Sequence, residues 1–213
     1  MPRSLVFVAT LLCCCAAWAE DARSPPAEAP RPGDRLVYEI KDEITGMIRG
    51  QRTIVVTEVT PKEIVTRVTQ GSNNSNSSVI FDRTWNVLRA NARRYTPHDG
   101  TGIQLPLTVG RSWKVVVDDV NPSNSSVFKR TVTSHIAGRE SVTTPVGTVD
   151  AYVIEKKFVT RNPKAPSVKM DAESRLWFDA DGYYPVKRTF AARRDGHLVE
   201  QDTYTLIEFT RKP

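Results

Sequence analysis

Three histidines, His98, His135 and His197, stand far apart in the chain, with no His-x-x-x-His or His-carboxylate spacing around any of them. A metal centre needs ligands brought together at short, regular spacing, so none is expected here. His135 shares a strand face with Thr131 and Thr133, which reads as an exposed or hydrogen-bonded strand residue; a general base is the rival role. The carboxylate pairs are Asp118 with Asp119, Glu39 with Asp42 and Glu43, and Asp179 with Asp181. The last resembles half a calcium loop, but Tyr183, Tyr184 and Pro185 do not supply the further oxygen ligands. Carboxylates that could act as an acid and base pair across strands leave no spacing signature, and no Gly-x-Ser-x-Gly, Walker or dinucleotide-binding pattern is present. The chain is therefore expected to be non-enzymatic, with no cofactor and no catalytic residue.

The elements that would position any site begin after an export signal. Arg3, the apolar run Leu5–Cys15 and the small-residue ending Ala17-Trp18-Ala19 read as a cleaved secretory signal peptide over residues 1–19. That run is shorter than the about 20 residues a membrane-spanning helix needs. All three cysteines, Cys13, Cys14 and Cys15, lie inside it, so disulfides and thiolate chemistry are not expected of the mature chain. Leu11-Leu12-Cys13-Cys14 loosely imitates a bacterial lipidation box, with a poor fit before the cysteine, which makes a membrane-anchored form the alternative to a soluble periplasmic one. Residues 20–32 hold Pro25, Pro26, Pro30 and Pro32 and read as a semi-extended linker.

From Gly33 to about residue 210 the chain alternates short runs of Val, Ile, Thr and aromatics with clusters of Gly, Pro, Asn, Asp and Ser. This is strand patterning, and it predicts an all-β domain of about eleven antiparallel strands with little helix, arranged as a single curved sheet in a half-barrel or incompletely closed barrel. Leu36, Tyr38 and Ile40 alternate with Val37, Glu39 and Lys41, and Trp113, Val115 and Val117 alternate with Lys114, Val116 and Asp118. Each such strand presents one apolar and one wet face. Trp85, Leu88, Ala92 and Tyr95 also fall at helical offsets, but Val87–Tyr95 reads as one strand between turns. Asn73, Asn76 and Asn124 sit in Asn-x-Ser sequences within polar tracts that read as hairpin tips.

The stretch Gly138–Lys187 carries the most recognisable text: Thr144-Pro145-Val146-Gly147, Ala151-Tyr152-Val153-Ile154-Glu155, and Trp177-Phe178 followed by Gly182 and Pro185-Val186-Lys187. With Gly33-Asp34-Arg35-Leu36-Val37-Tyr38 and Leu107–Trp113 upstream, it resembles a family of exported bacterial domains of unknown function. Those domains are in turn similar to lipoprotein-carrier half-barrels, and the resemblance implies a concave face able to accommodate acyl chains. It transfers no binding residue.

The leading expectation is a periplasmic binding or carrier protein that holds a lipid, an acylated protein or another apolar ligand. Alternation alone nominates Leu36, Tyr38, Ile40, Trp113, Val115, Val117, Tyr152, Ile154, Trp177, Phe190 and Tyr204 for the lining, although an ordinary closed core would use the same residues. Arg188 shares a face with Phe190, and Arg175 with Trp177, so arginines could rim a mouth. The basic pairs Arg93-Arg94, Lys156-Lys157, Lys187-Arg188 and Arg193-Arg194 contribute to a net charge of +6 and suit anionic head groups, but their scatter reads as solvated faces. Export argues against nucleic acid. The alternatives are an interaction module of a cell-envelope assembly, offering sheet edges and Asn/Ser loops, and a periplasmic hydrolase using His135.

Overall fold

The computed structural model describes residues 29–211, apart from 72–74 and 182. The signal peptide, most of the proline-rich linker and the Asn73 sequon lie outside the described residues. Twelve antiparallel strands, β1 (Arg35–Asp42), β2 (Ile48–Val59), β3 (Glu63–Gln70), β4 (Ser75–Asp82), β5 (Val87–Ala90), β6 (Arg93–Thr96), β7 (Ser112–Asn121), β8 (Ser126–Thr144), β9 (Gly147–Asn162), β10 (Ala165–Asp179), β11 (Tyr184–Arg194) and β12 (His197–Thr210), follow one another as a meander.

The sheet closes on itself into a barrel rather than stopping as an open half-barrel of eleven strands. An even strand count leaves the last strand antiparallel to the first, and β12 pairs β1 from Arg35↔Thr210 to Asp42↔Asp202. The extra strand comes from Val87–Tyr95, which is neither one strand nor a helix. It breaks at Asn91, whose φ of 52° turns the chain back so that Ala90 faces Arg93. Asn91→Ala is expected to cost about 1 kcal/mol in urea unfolding, because a Cβ-bearing residue without a local hydrogen-bonding side chain is disfavoured at that φ, while Asn91→Gly should leave stability unchanged. Closure also removes the terminal sheet edges on which strand addition by a partner was premised.

Inward and outward positions alternate as the pattern required. The outward face carries exposed Arg67, Lys114, Glu155, Lys157 and Glu173, not the apolar band of a membrane-spanning barrel. No helix among the described residues is long and apolar enough to cross a membrane.

Eight strands enclose roughly what side chains alone fill, so twelve leave a lumen that needs additional filling. The β6–β7 connection supplies it. Asp99, Gly100, Gly102 and Ile103 are buried, and this segment is stitched to the β4–β5 turn. Ile103 N donates to Thr84 O (2.8 Å) and Gly102 N to Asn86 Oδ1 (2.8 Å). Asp99 Oδ1 accepts from Val87 N (2.8 Å). In an up-and-down barrel this connection lies at the same end as the β2–β3, β4–β5 and β10–β11 turns, so that end is plugged.

The interior has two apolar parts. One contains Leu36, Ile54, Phe81, Trp85, Ile103, Ile154, Leu176, Phe178 and Leu206; the other contains Val117, Val132, Phe158, Ala172 and Ala192. Between Ile154 and Phe158 comes Lys156, and between Leu176 and Ala172 comes Ser174. A polar belt therefore crosses the lumen between the two clusters.

Candidate functional site

Strand register assembles the belt. Arg52 on β2 faces Tyr38 on β1, Tyr204 on β12 faces Arg188 on β11, Ser174 on β10 faces Lys156 on β9, and Lys156 faces Ser134 on β8. Opposed residues of an antiparallel pair share a face, so all of these project into the lumen.

Lys156 is 2% exposed. Its Nζ donates to Gly102 O (2.6 Å), Ser134 Oγ (3.2 Å) and Gly100 O (3.3 Å), and lies 5.1 Å from the Trp113 ring centroid. Three oxygens match the three protons of an ammonium and latch the plug to the wall. Burial nevertheless pulls its pKa down to about 7, opposed by the charge of Asp99 and assisted by that of Arg188. Burial pushes the Asp99 carboxyl up, and hydrogen bonds from Thr101 and Val87 pull against it. Burial likewise lowers Arg52, against the attraction of Tyr204, Tyr38 and Asp99. It lowers Arg188 too, and there the Arg52 charge acts in the same direction. The Tyr38 phenol is pushed up by burial and donates to Pro185 O (2.7 Å).

A cavity of about 110 Å³ lies between the plug and this belt. Ile54, Phe81, Trp85, Ile103, Leu176 and Phe178 make its apolar wall, and Arg52, Arg188, Tyr38, Tyr204 and Thr101 its polar side. Tyr204 also borders a second cavity of about 210 Å³, lined by Ile40, Arg49, Gln70, Gly71, Glu200 and Asp202. The β1–β2 and β11–β12 turns lie at that end, opposite the plug, and expose Ile44, Met47, Ile48, Leu198 and Val199.

Of the residues nominated by alternation, Tyr38 and Tyr204 line the first cavity and Ile40 the second. Leu36 and Ile154 are buried in the larger apolar cluster, with Trp113 and Tyr152 packed on it half-buried. Val117 belongs to the smaller cluster, against which Val115 and Phe190 pack. Trp177 is buried and belongs to the larger cluster too, but it alternates out of phase with Leu176 and Phe178: its Nε1 donates to Glu140 (2.9 Å) and its ring lies between Arg175 and Lys187. Arg52, Lys156, Asp99 and the whole plug lie outside the set that alternation nominates. A signal existed for two of the cations: Ile154-x-Lys156-x-Phe158 and Val186-x-Arg188-x-Phe190 place a charge in phase with apolar residues.

His135 faces outward and is exposed. Its Nδ1 and Ser112 Oγ are 2.9 Å apart, and Glu155 is its direct neighbour on β9. Among the described residues no hydrogen bond joins Glu155 to the imidazole, so the three do not form an oriented triad. Asp119, one of the carboxylates noted in the sequence, is a buried ion-pair partner of Arg93 (3.0 Å) and Arg130 (3.1 Å). Asp179 shapes its turn by accepting from Asp181 N (2.9 Å).

No family model matches the chain, and no curated protein matches it. Solved structures do share its fold. A candidate lipoprotein from Parabacteroides distasonis is similar with a TM-score of 0.58 at 14% identity, over 84% of this chain and 96% of that one. A candidate exported protein with a YmcC-like fold from Bacteroides fragilis is similar with a TM-score of 0.58 at 12% identity, over 86% of this chain and 98% of its own. The hypothetical lipoprotein YmcC from Escherichia coli is similar with a TM-score of 0.50 at 11% identity, over 86% of each chain. The chain therefore has the YmcC-like β-barrel fold of proteins whose names assign no activity.

Proposed function

We propose that the protein is a non-enzymatic binding or carrier protein of the periplasm that holds an apolar small molecule or the end of an acyl chain inside the barrel. The observation that carries this reading is the lumenal cavity itself: apolar walls, a few convergent polar groups and a plugged floor, which is the usual composition of a small-molecule site. At about 110 Å³ it exceeds the roughly 30 Å³ share of one water and approaches the about 150 Å³ of an apolar cavity able to hold benzene. The second cavity beyond Tyr204 offers a path for a longer chain. Each methylene removed from water contributes about 0.8 kcal/mol, so affinity requires little hydrogen bonding. Export is supported by the signal-like N-terminus and by similarity in fold to candidate exported proteins and lipoproteins. The Ser112–His135 pair, exposed on the outer face, lies away from this cavity, which favours binding over turnover.

The exposed apolar side chains at the mouth, Ile44, Met47, Ile48, Leu198 and Val199, favour a second role as a docking surface within an envelope assembly. The test of the binding reading is native mass spectrometry and organic extraction of protein purified from its own host. A co-purifying small molecule in about stoichiometric amount is expected; repeatedly bare spectra would overturn the reading.

A further inference from the structure

The two arginines on the cavity wall feel carboxylates only at a distance: Asp99 acts on both, and Glu200 on Arg188. Arg52 and Arg188 both line the 110 Å³ cavity, and among the described residues neither forms an ion pair. Arg52 Nε is buried with no hydrogen-bond partner. Arg188 gives its Nε proton to Ser174 Oγ (3.2 Å) and otherwise lies over the rings of Phe190 (4.9 Å) and Tyr204 (5.8 Å). Lys156, on the same belt, is held by Gly102 O, Gly100 O and Ser134 Oγ and is not on the cavity wall.

The acids near them are committed elsewhere. Asp99 Oδ1 accepts from Val87 N and Thr101 N, and the single proton of the Thr101 hydroxyl is shared between its two oxygens (2.8 Å each). Both oxygens of Asp202 are held by Arg49 at 2.9 Å. Glu200 is half-buried at the mouth, where burial and then Asp202 push its carboxyl up, against the charges of Arg49 and Arg188. By contrast, buried Asp119 is ion-paired with Arg93 and Arg130, and buried Asp202 with Arg49. Leaving guanidinium groups half-buried without an anion is costly, and a site that retains them has a use for them. Guanidinium is the group suited to planar, bidentate capture of carboxylate or phosphate.

We infer that the lumenal ligand is an anionic amphiphile, its carboxylate or phosphate held by Arg52 and Arg188 and its apolar part laid against Ile54, Phe81, Ile103, Leu176 and Phe178. The inference rests on the lumenal binding reading above and narrows it to one ligand class. An inorganic anion would leave the apolar wall unused, and an uncharged lipid would leave the cations unpaired.

Isothermal titration of the purified protein with decanoate, decan-1-ol and inorganic phosphate tests it. Decanoate is expected to bind at least tenfold more tightly than the alcohol of equal length. Arg52→Gln and Arg188→Gln should each erase that difference while leaving the thermal midpoint unchanged or higher, since each removes an unpaired buried charge; a purely structural arginine would lower it. Equal binding of acid and alcohol would overturn the anionic ligand and leave the lumenal site standing. Phosphate binding as tightly as decanoate would overturn the amphiphile in favour of a free anion. Absence of binding by all three, together with bare spectra of the host-purified protein, would overturn the lumenal reading and this inference with it. The comparison of acid with alcohol on the unaltered protein stands even if an arginine variant fails to fold.

Discussion

Gly102→Ala is expected to unseat the plug and to cost about 3 kcal/mol in urea unfolding, the upper end of what overpacking usually costs. A Cβ at this position would lie 2.5 Å from the carbonyl carbon of Trp85 and closer still to Thr84 O and Asn86 N. These are backbone atoms of the β4–β5 turn, so no side chain can rotate away, and the two segments must separate. Separation breaks the Gly102 N bond to Asn86 and loosens the grip of Lys156 on Gly102 O. The same substitution at Gly138, where an added Cβ meets nothing within 4 Å, is the control and should change stability by less than about 0.5 kcal/mol. Hydrogen exchange should rise through residues 99–103 in the Gly102 variant alone. A loss below about 1 kcal/mol, with exchange unchanged, would mean that the plug is not wedged against the turn.

Lys156 should make the stability of the barrel rise with pH above neutrality. Its folded pKa, drawn down to about 7 by burial, lies below the ordinary lysine value of 10.5. Between these values the unfolded chain holds a proton that the folded chain has released, so unfolding free energy increases with pH. Below about pH 7 both states are protonated, and the cost of burying the charge is present in full. Comparison with Lys156→Met isolates the effect, because every other titrating group is common to both proteins. Leaving Gly100 O and Gly102 O without their donor lowers the variant's stability by an amount that does not depend on pH. Superimposed on that offset, the wild type should gain on the order of 3 kcal/mol over the variant from pH 7 to pH 10, read from urea curves at each pH. A difference that stays flat across that range would show that the three oxygens around Nζ hold the proton against desolvation.

Much of the barrel was legible because a strand with one buried face writes its orientation in the residue pattern. Leu36, Tyr38 and Ile40 announce their inward face, and the limits of β1 and β2 follow directly from flanking turn residues. The later strands run longer than their apolar segments, since β8 and β9 continue as paired backbone through residues chosen for solvent. Val87–Tyr95 reads as continuous because Asn91 and Ala92 carry no glycine or proline to mark the reversal, and asparagine tolerates the left-handed conformation without one. The site was less legible. Lys156-Lys157 and Lys187-Arg188 look like solvated basic pairs, yet adjacent residues of a strand point to opposite faces, so one member of each must point inward. Arg52 gives a weaker hint: it is in phase with Ile54 and Val56, but Val55 is apolar on the opposite parity, so its inward direction is fixed only by its pairing with Tyr38 across the β1–β2 hairpin.

Alternation is a property of neighbouring residues, so the amino-acid order alone determined an antiparallel all-β chain and the apolar face of each strand. Closure, the plug and the meeting of Arg52 with Arg188 depend on contacts between residues far apart in the chain, such as Leu36 with Phe209 and Lys156 with Gly102. An open sheet and a closed barrel share the same inward pattern; only the summed twist of twelve strands decides whether the first meets the last, and with it whether the inward charges face water or one another.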